Sequence, residues 1–350
     1  MLNNQNNWWI FPGFEIEKVV DGLTLPVNLA FNGSFLYINE LYGQVKVVTQ
    51  DGKVLTYADN LLNYKPDFKI PGSGESGLTG ICVEPESGDL FLSMIYMDDG
   101  NPKAKVIRTQ SEDGLKMSRS KTVIDNIPSV LGAHQIQAVS IGFDKKLYVN
   151  IGDGMMDSSV AQDDNDFRGK ILQMDLDGSN VSIFAKGFRN PFGATWRKSD
   201  KSFYISDNGP SVDDRIAKVE QGKNYGWPKT MRQNSIFWWH YTQGITALDF
   251  MQDGQFSPDY SDNLFVSLFG GSFSKTPAIK GKRIVKIELD KNNAVKSTDD
   301  FIKFVGEGLS SPCSLVFGSD GLYFSDLYGE NFDIKTLKGG TIYKIKPKKG

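Results

Sequence analysis

The sequence has few of the residues that most often mark a reactive or metal-binding site. It contains only two cysteines and two histidines in 350 residues. Cys82 and Cys313 lie far apart within strand-like apolar runs, so we expect small buried side chains and neither a disulfide nor a metal site. His240 stands among aromatic residues and is interpreted as structural. His134 is therefore the histidine to examine for chemistry.

An excess of charge of one sign and long apolar runs are also missing. The chain has 39 Lys and Arg against 42 Asp and Glu, a formal net charge of -3. This balance supplies no basic field for binding nucleic acid or an anionic membrane. No apolar run reaches the roughly 20 residues of a membrane span, and the first residues lack the basic start and apolar stretch of a signal peptide. We expect no nucleic-acid partner, no membrane span and a small ligand.

The sequence does contain one phrase that occurs six times. The phrase is an apolar strand, a turn with Gly or Asp, a second strand of the type Leu-Tyr-Val, a short loop and a third strand. Strand patterns dominate, and no stretch keeps a 3.6-residue apolar period long enough for a core helix. A period of roughly 50 residues is typical of propeller blades, so the sequence predicts an all-β fold, a six-bladed β-propeller. The copies begin at Val27, Leu78, Ala138, Gly193, Ala247 and Ser314.

The N-terminal residues belong to no blade of their own. Residues 14–20 alternate apolar and polar side chains, as a half-buried strand does. A propeller must protect its strand edges, so we expect this segment to pair as the outer strand of the last blade and to close the ring. Residues 1–13 are then an extension, and residues 1–350 form a single propeller domain.

Polar residues recur in the loops beside the first and second strands, where propellers commonly bind ligands at one end of the channel. Glu75 precedes the second blade, His134 the third and Arg189 the fourth, and Asp153 follows the second strand of the third. Each loop alone is weak evidence for a functional site, since a sequence such as Gly-Asp-Gly is common in ordinary turns. The acidic run at 162–166 lacks the Gly and Glu of an EF-hand and is interpreted as a solvated loop. Together, the other loops could converge on one site.

The order of these phrases resembles the soluble glucose and sorbosone dehydrogenases that use pyrroloquinoline quinone (PQQ). The similarity extends from Phe14 to Lys346. The resemblance implies oxidation of a sugar or a related alcohol or aldehyde, an electron acceptor that the sequence does not name, and a periplasmic or secreted location. Its most specific phrases include Gly74-Glu-Ser-Gly-Leu-Thr-Gly80, Gly187-Phe-Arg-Asn-Pro191 and Asn224-Tyr-Gly-Trp-Pro228.

The roles of individual residues are implied by this resemblance. His134 falls where the family has its general base, and a neutral imidazole suits the removal of a hydroxyl proton. Asp153 matches the carboxylate partner of that base, and Arg189 matches the cation near the reacting oxygens. The further residues that match groups lining the cofactor and substrate pocket are Glu75, Gln135, Asn190 and Lys280.

The resemblance also implies a calcium ion, which activates the quinone as a Lewis acid. The backbone carbonyls of Gly209 and Pro210 would hold it. Such ligands carry no side-chain signature, so the residues themselves do not indicate this site.

Two positions depart from the family pattern. Glucose-oxidising members carry Arg-x-Arg before the last blade, where this chain has Ser311-Pro-Cys313. The carboxylates of PQQ need cations, so this difference favours a sorbosone-type member and leaves open a binding propeller without cofactor. A metal-dependent lactonase-like hydrolase is a third alternative, although the sequence offers no convincing set of channel-facing carboxylate and amide ligands.

Overall fold

The computed structural model describes residues 4–5, 7–66, 75–270 and 281–348. Six antiparallel sheets form a ring, which confirms the prediction of an all-β, six-bladed propeller. Two short 3-10 helices, Ser158–Gln162 and Pro258–Tyr260, are the helical segments of the described ranges. None of them is long and apolar enough to cross a membrane.

The strands are numbered along the chain. They are β1 Asn4–Gln5, β2 Trp8–Ile10, β3 Phe14–Thr24, β4 Pro26–Asn32, β5 Phe35–Glu40, β6 Gln44–Val48, β7 Val54–Ala58, β8 Leu78–Val83, β9 Leu90–Asp98, β10 Asn101–Gln110, β11 Arg119–Pro128, β12 Ile136–Ile141, β13 Leu147–Ile151, β14 Lys170–Met174, β15 Ser182–Lys186, β16 Pro191–Arg197, β17 Ser202–Asp207, β18 Asp214–Val219, β19 Ser235–Trp239, β20 Ile245–Phe250, β21 Leu264–Leu268, β22 Arg283–Leu289, β23 Val295–Phe304, β24 Pro312–Gly318, β25 Gly321–Asp326 and β26 Lys338–Pro347.

Each blade is a meander of consecutive strands. Blades one to four are β4–β7, β8–β11, β12–β15 and β16–β19, and blade five is β20–β23 with β2 and β1 added at its outer edge. Blade six is β24–β26 completed by β3 from the N-terminal region. In that sheet Ile16 is paired with Ile345 and Val20 with Ile342. The first strand of each blade contacts the first strands of both neighbours, so these six strands surround the central channel.

The second strand of a blade is buried on both faces, because another blade covers it on each side. Every residue of β13, β17 and β21 is buried. Between blades three and four, the ring of Tyr148 packs 5.3 Å from that of Phe203. A fully buried side chain of this kind contributes about 1.5–3 kcal/mol. Packing between blades is therefore a large part of the stability of the ring.

In blades one, four and six, a carboxylate at the end of the second strand binds the segment that leads into the first strand of the same blade. In blade one this carboxylate is Glu40, which ends β5 and accepts the N–H of Thr24. Asp207 ends β17 and accepts hydrogen bonds from the backbone N–H groups of Arg189 (3.2 Å) and Asn190 (2.7 Å). Asp326 ends β25 and accepts one from the N–H of Ser311 (2.8 Å). We call this contact the loop clasp. The end of the ring where it lies is called the loop face.

Candidate active site

In blade three, the loop clasp joins two side chains. Oδ1 of Asp153 lies 2.6 Å from Nδ1 of His134, and both residues are buried. Oδ1 also accepts the N–H of Met155 (2.9 Å), and Oδ2 accepts Nε1–H of Trp227 (2.7 Å). Burial opposes ionisation, but the hydrogen bond and charge of His134, with the other donors, hold the pKa of Asp153 below its ordinary value. An ionised Asp153 fixes the imidazole with its proton on Nδ1.

The other ring nitrogen of His134, Nε2, has different surroundings. In the described part of the chain, no residue hydrogen bonds to Nε2. The backbone of His134 is in the left-handed region, with φ at 59°, a conformation that costs on the order of 1–3 kcal/mol for a residue with a side chain. Gly152 permits the approach, since a Cβ there would lie 2.4 Å from the His134 carbonyl oxygen. The left-handed backbone of His134 and the lack of a side chain at Gly152 therefore set the position of this imidazole.

Glu75 connects the loops of three blades. It accepts hydrogen bonds from the backbone N–H of His134 (2.8 Å), from Nε2 of Gln137 (2.8 Å) and from Nδ2 of Asn190 (3.1 Å). Burial raises the pKa of Glu75, although the charge and N–H of His134 oppose this effect. Oδ1 of Asn190 is buried and, among the described residues, has no hydrogen-bond partner. The acidic side chain therefore fixes both the imidazole loop and an amide whose oxygen is free to accept.

Arg189 lies beside this group and holds backbone carbonyls. Its Nη1 donates to the carbonyl oxygens of Asn208 (3.0 Å) and Gly209 (2.8 Å), and its guanidinium lies 5.5 Å from the ring centre of Trp227. The carbonyl oxygen of Arg189 accepts the N–H of Asp153 at 2.8 Å. The structure therefore brings the loops of blades three and four together, and it places a cation on the Gly209 carbonyl.

Other residues that the sequence placed at the site have different surroundings. Both ends of the Gln135 amide are bonded within its own loop, because Oε1 accepts the hydroxyl of Ser129 and Nε2 donates to the carbonyl of Ala133. The carbonyl of Pro210 accepts the hydroxyl of Ser211. Lys280 lies outside the described residues.

The described residues next to Lys280 and in the segment Ser311-Pro-Cys313 supply little positive charge to the site. Lys282 donates to the carbonyl of Gly308, and Arg283 pairs with Asp300 at 2.9 Å. Cys313 is buried in an apolar cluster, and burial raises the pKa of its thiol to about 12. The described ranges contain no group of three or more His, Cys, Asp or Glu side chains that could hold a metal ion.

Sequence reasoning missed two structural contributors. Trp227 belongs to a phrase that carries the resemblance, but only the structure shows its indole on Asp153. Arg215 is fully buried and pairs with Asp207 at 2.7 Å. Its guanidinium also donates to the carbonyls of Gly187 (3.0 Å) and Met231 (2.8 Å). The contact of Trp227 joins loops of two blades and has no signature in sequence spacing, whereas Arg215 and Asp207 lie opposite each other on the paired strands β18 and β17.

The fold and the site define a six-bladed propeller with an imidazole–carboxylate pair at its loop face. The family described as Glucose / Sorbosone dehydrogenase matches residues 23–307, so the chain belongs to this family.

Individual relatives are more distant. The chain is 24% identical over 334 residues to the aldose sugar dehydrogenase of Escherichia coli, across 83% of this chain and 84% of that protein. It is 28% identical over 232 residues to quinoprotein glucose dehydrogenase B of Acinetobacter calcoaceticus, across 56% of this chain and 46% of that protein. The PQQ-bound aldose sugar dehydrogenase of Streptomyces coelicolor has a TM-score of 0.71 at 18% identity, covering 96% of this chain and 100% of that one. This last likeness shows a shared fold.

Proposed function

We propose that this protein is a quinoprotein dehydrogenase that oxidises a sugar, or a related alcohol or aldehyde, with PQQ as its cofactor. The observation that carries the proposal is the state of His134, whose Nδ1 is fixed by Asp153 while Nε2 has no partner in the described ranges. Membership of the family and the names of two relatives, a quinoprotein glucose dehydrogenase and an aldose sugar dehydrogenase, support the substrate class.

His134 acts as the general base in this proposal. With the Nδ1 proton donated to Asp153, the lone pair of the neutral ring lies on Nε2, which takes the hydroxyl proton of the substrate. The ionised Asp153 then stabilises the imidazolium. Trp227 restrains Asp153 by holding its second oxygen. When bound, PQQ supplies the electrophilic quinone that receives the hydride from the carbon bearing that hydroxyl.

The described residues fit a polar organic cofactor. A buried acceptor without a donor costs free energy, and Oδ1 of Asn190 is such an atom. Glu75 holds the amide nitrogen of Asn190 and so fixes the direction of its oxygen. Arg189 provides a positive charge beside the imidazole loop. Lys280 is proposed as a further cation for the carboxylates of PQQ.

The predicted calcium ligands do not fit an ion in the arrangement described here. The guanidinium of Arg189 already donates to the Gly209 carbonyl, and a divalent ion at the same oxygen would repel it. Arg189 must leave this carbonyl before calcium can bind at Gly209 and Pro210. Calcium therefore takes part in no step of the proposed mechanism, and the reconstitution experiment tests its binding separately.

Reconstitution tests the proposal. Purified protein is titrated with PQQ, with and without calcium, while quinone absorbance and melting temperature are recorded. Dye reduction is then followed with a panel of aldoses, alcohols and aldehydes. A ligand at 100 times its Kd should stabilise the folded state by about 2.7 kcal/mol. PQQ that produces neither an absorbance change nor a rise in melting temperature, at any calcium concentration, would refute the dehydrogenase assignment.

A binding propeller without cofactor is the second candidate. It is favoured by the lack of positive charge at Ser311 and Cys313 and by the engagement of Arg283 with Asp300. This candidate expects the loop face to bind a small molecule without PQQ and without turnover. The reconstitution experiment separates the two candidates directly.

A further inference from the structure

A concave site lies at the end of the ring opposite the loop face. It is an open groove of about 560 Å³ between blades three and four. Phe143 belongs to the turn from β12 to β13, and Lys201 belongs to the turn from β16 to β17. His134 precedes β12 at its other end. A strand of six residues rises about 20 Å, so the groove is separate from the imidazole site.

The floor of the groove is a cluster of aromatic rings. Trp196 stacks on Phe203 with ring centres 4.6 Å apart, and Tyr148 meets Trp196 edge-on at 4.9 Å. Phe143 lies 6.1 Å from Trp196 at an interplanar angle of 85°. Its side chain is 46% exposed, whereas Tyr148 and Phe203 are buried. Phe143 and the partly buried Trp196 are therefore the members of the aromatic cluster that a ligand can reach.

Around this floor, the rim carries both signs of charge. The acidic members are Asp144, Asp200 and Glu220, and the basic members are Lys201 and Lys218. Lys218 pairs with Asp200 at 3.1 Å. The mixed rim lacks the excess of positive charge that would hold an anion and the strong negative field that would hold a cation. It offers donors and acceptors to an uncharged ligand with many hydroxyl groups.

We propose that this groove binds a neutral carbohydrate. The C–H groups on one face of a pyranose ring are weakly positive and pack against the electron-rich faces of aromatic rings, while the equatorial hydroxyls reach a polar rim. Phe143 and Trp196 supply the aromatic surface, and the charged rim supplies the hydrogen bonds. This site is additional to the proposed dehydrogenase site and does not depend on a cofactor. It would retain the protein on a neutral glycan.

Affinity electrophoresis tests the groove. The protein is run in native gels that contain dextran, laminarin or soluble starch, with alginate as an anionic comparison. The wild-type protein should be slowed by at least one neutral glucan. Phe143→Ala should raise the apparent Kd by about three- to tenfold, the effect of losing one aromatic contact. Val181→Ala removes an exposed apolar side chain at the same end of blade three, outside the groove, and should change nothing.

Two further variants separate the groove from the imidazole site and from a general loss of folding. His134→Gln should keep full glycan binding, so that failure of the dehydrogenase proposal leaves this inference standing. Lys201→Ala combined with Glu220→Ala removes exposed rim groups and should also weaken binding, which keeps the test valid if a melting curve shows that Phe143→Ala does not fold. The inference is overturned by the absence of any retardation, by binding to alginate alone, by binding that both groove variants leave unchanged, or by loss of binding in His134→Gln.

Discussion

Nδ1 of His134 and Oδ1 of Asp153 are 2.6 Å apart, and the two residues flank the same end of the antiparallel pair β12–β13, where Ile136 lies opposite Ile151. Their contact engages Nδ1, so Nε2 is the nitrogen that meets the substrate in the proposed mechanism. Replacing His134 by Gln keeps a polar side chain but removes the base. We expect turnover by the reconstituted protein to fall by at least about a hundredfold, with PQQ binding nearly unchanged. His240→Gln is the matched control, because His240 is the other histidine and is exposed. Near-normal turnover in His134→Gln would remove His134 from the mechanism.

Trp227→Phe removes one hydrogen bond from Asp153 and keeps an aromatic ring beneath Arg189. The Trp227 donor is one of the causes that lower the pKa of Asp153. A lowered carboxyl pKa adds stability that is present above the unfolded pKa and is lost as the pH falls through the folded pKa. We therefore expect the variant to be less stable by about 1–2 kcal/mol near neutral pH. The difference should shrink in acid.

Urea unfolding of wild-type protein and Trp227→Phe between pH 7 and pH 3 measures this difference. Trp238→Phe is the control, since Trp238 is 41% exposed. A difference that does not change with pH would mean that the indole acts by packing and not through the carboxylate.

Arg215 is the structural cation of blade four. Replacing it by Met leaves Asp207 without its charge partner in a fully buried position. We expect the free energy of unfolding to fall by about 3–5 kcal/mol, the usual result of breaking a buried ion pair. Arg232→Met is the comparison, because Arg232 is half exposed where it pairs with Asp213, and its loss should cost less than about 1 kcal/mol. Equal effects of the two changes would contradict the role assigned to Arg215.

Asp249 gives stability a pH dependence of opposite sign to that of Asp153. Burial raises the pKa of Asp249 to about 6, although it accepts hydrogen bonds from the N–H of Phe317 and the hydroxyl of Thr195. Because its folded pKa is raised, the carboxyl favours the folded state at low pH, and this contribution is lost as the pH rises from about 4 to about 6. Asp249→Asn cannot ionise. The stability of the variant relative to wild type should therefore rise over that range by on the order of 2 kcal/mol, as measured by urea unfolding at each pH.

The ring of blades could be predicted because the same pattern of strands and turns occurs six times in the sequence. Leu147–Ile151 reads as a short apolar strand, and in the structure neighbouring blades bury all of it. The site was harder to predict. His134 and Asp153 stand beside strand ends, which a propeller brings to one face, but their roles came from resemblance to a family. The hydrogen bonds of Arg189 to the carbonyls of Asn208 and Gly209 join two loops of blade four, and the hydrogen bond of Trp227 to Asp153 joins a loop of blade four to one of blade three. No local pattern encodes such a meeting.

Gln135 shows why the direction of a side chain in a loop is hard to predict from the sequence. Its neighbour His134 points an imidazole at Asp153, whereas the amide of Gln135 is bonded to Ser129 and Ala133 in its own loop. Adjacent residues of an irregular loop can face in different directions, so proximity in sequence to a candidate base says little about access to a ligand.

The loop clasp of blade three limits which substitutions the protein can tolerate at this site. In blade six the clasping carboxylate, Asp326, holds the backbone N–H of Ser311 and the hydroxyl of Ser310. In blade three Asp153 holds an imidazole instead, and the N–H of His134 is held from the neighbouring blade by Glu75. The rigidity of the loop and the proposed reactivity of the ring therefore depend on the same two carboxylates. A substitution at Asp153 or Glu75 that changes the rigidity of the loop will therefore also change the position of the imidazole. At these two residues, stability and the proposed turnover cannot be selected independently.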